Sequence, residues 1–212
     1  QIANNDLGWE KNNQYNVGID ANLWKGLLGV NLDFYYTKTT DMLLDVPVPS
    51  VSGFTKSLMN IGSMQNKGIE VNLSSRKQIG DFHYELTANW SLNRNKVLSL
   101  GDEDAPMIVE FSYAGGYYIT QVGQPVGCYY LMVQDGIFHN QEELDSYPHF
   151  DTTVVGDFRF VDADGDGVLE KDDDRVIVGN YMPDFYYGFG LSLGYKGFDF
   201  LANFQGVYGN EI

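Results

Sequence analysis

Strict alternation of apolar and polar residues is the sequence feature that most limits how this chain can fold. It occurs in six runs, at residues 15–23, 28–36, 69–74, 82–93, 187–195 and 198–205. Successive side chains of a β-strand point to opposite faces of the sheet, so a period of two gives each strand one apolar and one polar face. With 15% aromatic residues and 24 glycines in 212 residues, the composition favours β-structure with many turns.

The lengths of the runs and of the segments between them predict a particular kind of β-protein. The runs are about ten residues long, which is longer than usual in soluble sheets and is what a tilted strand needs to cross a bilayer. Short turns near residues 25–26, 78–80 and 196–197 alternate with long segments at about 37–66 and 96–185. We therefore predict an all-β, antiparallel portion of a transmembrane β-barrel, with about six long strands paired as three hairpins and with long extracellular loops.

The two faces of the predicted strands differ in chemistry. Asp20, Asp33 and Glu85 lie on the polar face, which suits a water-filled lumen, and they are candidates for lining a transport path. Tyr195 and Phe198 flank the third short turn, and aromatic rings favour the headgroup level of a membrane. A soluble β-sandwich also buries one face of each strand and is the alternative, but strand length and loop asymmetry favour the barrel.

Residues 162–173 have the spacing of a calcium-binding loop. Acidic residues occupy the first, third, fifth, ninth and twelfth positions, and Gly167 at the sixth permits a sharp turn. Oxygen atoms at this spacing converge on one hard cation. The predicted Ca²⁺ ligands are Asp162, Asp164, Asp166, the Val168 carbonyl, Glu170 directly or through water, and Asp173. An acidic turn without an ion is the alternative.

Charge and cysteine content limit the other classes of function. The net charge of −16 at pH 7 argues against nucleic acid as a partner. The single cysteine, Cys128, is predicted to be a small buried hydrophobe rather than a nucleophile. The sequence has no nucleophile elbow and no phosphate-binding glycine loop, so we predict no enzymatic activity. A secreted hydrolase domain is kept as an alternative.

Several motifs in a fixed order resemble one family of membrane proteins. They are Asn60–Gly62, Asn66–Glu70, Gly123–Gly127, Gly156–Asp162 leading into the acidic loop, Arg175–Asn180, Pro183–Phe185, Tyr195–Asp199 and Gln205–Gly209. Together they span roughly residues 7–210 and resemble the C-terminal part of the SusC/RagA family of TonB-linked outer-membrane transporters. In that family an acid at the twelfth loop position runs straight into a basic residue. Here one more acid precedes Arg175, which leaves open whether Asp172 or Asp173 closes the metal loop.

The resemblance implies an architecture and a set of partners. It implies a barrel of roughly 22 strands filled by an N-terminal plug, so that residues 1–212 are a C-terminal barrel part and the plug and remaining strands are absent from this sequence. Residues 95–185 would form a long extracellular loop that carries the calcium-type loop as a brace. The implied partners are a SusD-like surface lipoprotein, TonB through the absent N-terminal part, a glycan or peptide ligand, and outer-membrane lipid.

The predicted function follows from the resemblance and not from the periodicity. We predict a component of a nutrient importer in the bacterial outer membrane that takes up glycans or peptides with energy supplied through TonB. The alternative is a soluble or surface carbohydrate-binding β-domain with a structural calcium loop.

Overall fold

A computed structural model describes residues 7–47, 56–101, 103–111 and 116–211. The strands are β1 (Lys11–Leu23), β2 (Leu28–Pro47), β3 (Lys56–Ile79), β4 (Phe82–Leu100), β5 (Met107–Phe111), β6 (Gly116–Thr120), β7 (Cys128–Met132), β8 (Gln134–Ile137), β9 (Phe158–Phe160), β10 (Arg175–Gly179), β11 (Phe185–Tyr195) and β12 (Phe198–Tyr208). One helix, α1 (Gln141–Ser146), lies within the described ranges. No helix there is long and apolar enough to cross a membrane.

The six predicted strands form one antiparallel sheet in the order β1-β2-β3-β4-β11-β12. This confirms the prediction of an all-β fold with three hairpins. The register places apolar residues opposite apolar residues and polar residues opposite polar ones on neighbouring strands, so each face continues across the sheet. One cross-strand row on the apolar face is Ile19, Leu32, Val71, Trp90 and Tyr187. The adjacent row on the polar face is Asp20, Asn31, Asn72, Asn89 and Gly188.

The hairpin turns lie where the sequence predicts them. Tyr195 pairs with Phe198 around a two-residue turn in which Lys196 and Gly197 both have positive φ, 47° and 85°. Positive φ at both central residues is the type I′ geometry that matches strand twist. Ile79 pairs with Phe82 across the second turn, and residues 24–27 make the first.

The prediction of a long loop at about residues 37–66 is wrong. β2 continues to Pro47 and β3 begins at Lys56, and their far ends pair with each other. Residues 48–55 lie outside the described part. The strands are 20 and 24 residues long, not about ten. A register shift near Asp41, whose φ is +56°, breaks the alternation that the sequence reading relied on.

The apolar face of this sheet stays exposed. Val17 is 66% exposed, Ile19 55% and Phe204 62%. The described residues within 1–106, 121–126 and 182–211 form one compact unit, and Val97 is the buried hydrophobic residue among them. Packing within this unit therefore leaves the apolar face without a second layer.

A second compact unit comprises the described residues within 107–120 and 127–181. It contains a four-stranded sheet in the order β10-β7-β6-β5 and the hairpin β8–β9. Its core is conventional, with Ile119, Cys128, Phe138, Leu144 and Leu169 buried. Helix α1 begins where the Asn140 side chain accepts a hydrogen bond from the Glu143 amide. The segment 95–185, predicted as a long extracellular loop, thus contains the end of β4 and the strands β5–β10. Its extracellular location stays a prediction.

Candidate functional site

The acidic loop lies between β9 and β10, and its own carboxylates fold it. Asp162 accepts hydrogen bonds from the amides of Gly165 and Gly167, at 2.7 and 2.8 Å. Asp164 accepts from the Asp166 amide at 3.1 Å. Aspartate side chains that capture amides a few residues ahead curl the backbone into successive tight turns. The sequence therefore forms the loop by local interactions.

The curled backbone brings three predicted ligands together. One carboxylate oxygen from each of Asp162, Asp164 and Asp166 lies within 4.8 Å of the others. Oxygen-only donors on an exposed loop are the chemistry that Ca²⁺ takes. The donor set therefore fits a hard divalent cation. Val168, a residue that is 55% exposed, stays a predicted ligand through its carbonyl.

Two carboxyls of the loop have pKa values displaced in opposite directions. Hydrogen bonds from the backbone amides, first that of Gly167, lower the pKa of Asp162. The Asp166 amide has the same effect on Asp164, but desolvation and the neighbouring acids outweigh it and raise the pKa of Asp164. A raised pKa reports crowding of negative charge, which a bound cation would relieve.

The remaining predicted ligands are arranged differently. Glu170 has a raised pKa, first because it shares a hydrogen bond with the Asp173 carboxylate and then because of that group's charge. The charges of Asp166 and Asp164 raise the pKa of Glu170 further. Asp172 instead points to Arg175, with Oδ1 and Nη1 3.0 Å apart. The roles of Glu170 and Asp173 as metal ligands stay predictions.

Asp174 closes the loop, and sequence reasoning missed it. The residue is only 1% exposed. Its Oδ1 accepts a hydrogen bond from the Ala163 amide at 2.6 Å, and its Oδ2 accepts one from the Glu170 amide at 2.7 Å. Neither Asp172 nor Asp173 ties the two ends of the loop in this way. The signal was present, because Asp174 is the acid that runs straight into the basic residue.

The exit of the loop is fixed to the four-stranded sheet. The Arg175 guanidinium lies 3.7 Å from the centroid of the Tyr117 ring on β6, and its side chain is 9% exposed. This cation–π contact on a largely desolvated arginine anchors the first residue of β10.

The entry of the loop is held by a second polar network. Arg159 Nε donates to Asp135 Oδ1 at 2.8 Å, and the Tyr147 hydroxyl donates to Asp135 Oδ2 at 3.2 Å. Burial and the Asp135 charge raise the pKa of Tyr147. The Val161 amide donates to the Val133 carbonyl. The residues at both ends of the acidic loop are therefore held in place by contacts with other strands and loops.

The predicted path-lining residues lie on the polar face of the six-stranded sheet. Asp20 accepts a hydrogen bond from Asn31 Nδ2. Asp33 pairs across strands with Gly18 and Glu70, and Glu85 with Arg76. The register confirms their position on the polar face, and their role in lining a path stays a prediction.

Asn95 is a second residue that sequence reasoning missed. It is 9% exposed, accepts a hydrogen bond from the Val126 amide at 2.9 Å and donates to Asn66 Oδ1 at 3.0 Å. The Val97 amide also donates to the Gln124 carbonyl. Residues 121–126, which include most of the Gly123–Gly127 motif, are thereby hydrogen-bonded to β4.

Comparison with known proteins gives the family. The model of the TonB dependent receptor-like β-barrel family matches residues 1–210. The chain belongs to the TonB-dependent receptor β-barrel family. Members of this family are receptors and transporters rather than enzymes. The resemblance drawn from the sequence motifs is confirmed.

Related TonB-dependent receptors show how much of such a protein this chain represents. It is 36% identical to TonB-dependent receptor P26 of Formosa agariphila over 212 residues, which cover 99% of this chain and 21% of that receptor. It is 26% identical to TonB-dependent receptor SusC of Bacteroides thetaiotaomicron, covering 99% and 20%. The chain therefore spans about a fifth of the length of these relatives.

A solved structure agrees with the same fold. The RagAB peptide importer in its closed-closed state superposes with a TM-score of 0.75 at 27% identity, covering 99% of this chain and 22% of that one.

Proposed function

We propose that this chain forms part of the barrel wall of an outer-membrane nutrient importer. The observation that carries the proposal is the two-faced six-stranded sheet. Its apolar face includes Tyr15 and Phe200, 69% and 56% exposed, and continues across all six strands in register. A soluble protein rarely exposes an apolar surface of this extent, whereas a membrane-spanning barrel turns it to lipid. The soluble β-domain alternative requires a further layer over this face.

The polar face supports a water-filled path on the other side of the wall. Asn31, Asn72 and Asn89 lie in one cross-strand row between Asp20 and Gly188. On this face, polar side chains cover glycines of the neighbouring strand. A Cβ atom added to Gly188 would lie only 2.8 Å from Asn89 Nδ2, so the position has no room for a larger residue. Small residues on one face accommodate such crowded polar side chains, as the inner face of a curved sheet requires.

The cargo and partners we propose follow from the relatives. RagAB is a peptide importer, and SusC is a TonB-dependent receptor. We propose that the receptor containing this chain imports glycans or peptides, draws energy through TonB, and works with a SusD-like surface lipoprotein. The chain's own residues would hold and guide cargo without changing it chemically.

The test is fractionation and transport with the receptor that carries this chain. We expect it in the outer-membrane fraction, soluble only in detergent, with heat-modifiable gel migration and a co-purifying lipoprotein. Deletion of the receptor should abolish uptake of labelled glycans or peptides, and restoration should need TonB. Recovery in the soluble fraction, or unchanged uptake of both cargo classes after deletion, would contradict the proposal.

We also propose that the acidic loop binds Ca²⁺ as a structural brace. Asp162, Asp164, Asp166, the Val168 carbonyl and Asp173 would hold the ion, with Glu170 bound directly or through water. The convergence of three carboxylates and the raised pKa values of Asp164 and Glu170 support this. The ion would offset part of the negative charge of the loop and leave the backbone turns in place.

A further inference from the structure

A basic patch borders the apolar band of the six-stranded sheet on the side away from the short turns. About midway along β2 and β3 and near the end of β4, four cations occupy two adjacent cross-strand rows. We call Lys38, Lys67, Arg94 and Lys96 the basic patch. The register pairs Lys67 with Arg94, and it pairs Gln65 with both Lys38 and Lys96. The chain has only 13 lysines and arginines against 29 acids, so four cations in two rows are a marked local reversal of charge.

Side-chain contacts place this patch on the same face as the apolar band. Tyr36 pairs across strands with Lys67, and its hydroxyl donates to Gln65 Oε1 at 3.2 Å. The Tyr15 and Tyr36 rings lie 6.5 Å apart. The cations thus follow directly after tyrosines that border the apolar surface, where a membrane changes from acyl chains to headgroups.

Three of the four charges of the patch have no ion partner within the described part of the chain. Arg94 pairs with Asp184 at 2.7 Å. Lys38, Lys67 and Lys96 are exposed and form no ion pair with a described carboxylate. Like charges directly opposite on neighbouring strands, such as Lys67 and Arg94, destabilise a sheet. Asp184 offsets part of this repulsion at Arg94, and an anion bound beside Lys67 would offset more of it.

We propose that the basic patch binds the phosphate groups of a phosphorylated outer-leaflet lipid. This rests on the proposed function, since the face must meet lipid and the short turns must lie on the periplasmic side. The lipid's acyl chains would lie against the apolar band, and its headgroup phosphates would meet the ammonium groups and the Arg94 guanidinium. The nearby Tyr36 hydroxyl and Gln65 amide add hydrogen-bonding groups at the same level.

The test uses the complete receptor in detergent and measures binding of diphosphorylated lipid A by native mass spectrometry. The variant replaces three lysines together: Lys38→Gln, Lys67→Gln and Lys96→Gln. A cation near an anionic lipid surface contributes about fivefold in affinity, so we expect at least about a tenfold loss. Replacing the same lysines with arginine should keep binding.

A matched control changes the same charge elsewhere. Lys25→Asn, Lys77→Gln and Lys196→Asn remove three exposed lysines at the short-turn end, and asparagine tolerates the positive φ of Lys25 and Lys196. We expect lipid A affinity within about twofold of the parent. Equal losses in both triple variants, or no loss in either, would overturn the proposal.

Two further measurements distinguish lipid from free phosphate as the ligand, and loss of binding from loss of folding. Inorganic phosphate at matched ionic strength should not displace the lipid; displacement would show that a free anion is the ligand and would overturn the lipid assignment. Heat-modifiable migration shows that each variant is folded. A folded, membrane-inserted receptor that binds no lipid A overturns this inference and leaves the importer proposal standing.

Discussion

At the scale of single residues, Asp174 is the residue that holds the acidic loop closed. It follows two exposed acids, yet it is buried and its two oxygens hold amides from opposite ends of the loop. A hydrogen bond to a charged group contributes about 1.5 to 3 kcal/mol. The geometry of the loop therefore depends on this carboxylate before any cation binds.

We expect Asp174→Ala to open the loop. The loss of two acceptors should lower the local free energy of opening by about 2 to 4 kcal/mol, seen as faster hydrogen exchange of the Ala163 and Glu170 amides. The control is Asp172→Ala, since that side chain is 93% exposed and makes only a surface ion pair, worth below about 1 kcal/mol. Equal exchange in the two variants would refute the role assigned to Asp174.

At the scale of elements, the loop between β9 and β10 joins two anchored strands through a concentration of negative charge. We expect Ca²⁺ to slow proteolysis within residues 162–174 and Asp164→Ala to remove that effect. Asp151→Ala, an exposed acid outside the cluster, is the control and should keep it. Cleavage at the same rate with and without Ca²⁺ in the parent would contradict the calcium proposal.

The same protection should depend on pH in a defined direction. Ca²⁺ binds the ionised carboxylates, and protons compete for them. Because the pKa values of Asp164 and Glu170 are raised, protection should be full near neutral pH. It should be lost as the pH falls through those values, starting above the ordinary carboxyl range of about 4.

At the scale of the whole molecule, the two faces of the six-stranded sheet should respond oppositely to the same charge. Val71 and Asn72 are neighbours on β3, but Val71 lies on the apolar face and Asn72 on the polar one. We expect Val71→Arg to lower folding stability in lipid vesicles by about 2 to 4 kcal/mol. Asn72→Arg should change it little. The folded fraction on heat-modifiable gels measures both, and equal effects would argue against a lipid-facing surface.

The sequence predicted the hairpins because alternation is local and unbroken from Tyr15 to Leu23 and from Phe82 to Asn93. It could not predict the far ends of β2 and β3, since the shift near Asp41 puts apolar and polar residues out of phase there. It found Asp162, Asp164 and Asp166 because their spacing alone forms the loop. It missed Asp174 and Asn95, whose roles depend on burial and on partners that the chain brings close only when folded.

The pairing of β3 has a mechanical consequence. This strand is 24 residues long and is bonded along both edges, to β2 and β4, between Gly62 and Ser74, and along one edge over the rest of its length. The bonds of an antiparallel ladder run across the strand direction, so a pull along β3 loads them together in shear rather than one by one. A barrel wall built this way resists unfolding when force is applied along its strands. Segments held by fewer hydrogen bonds would detach first.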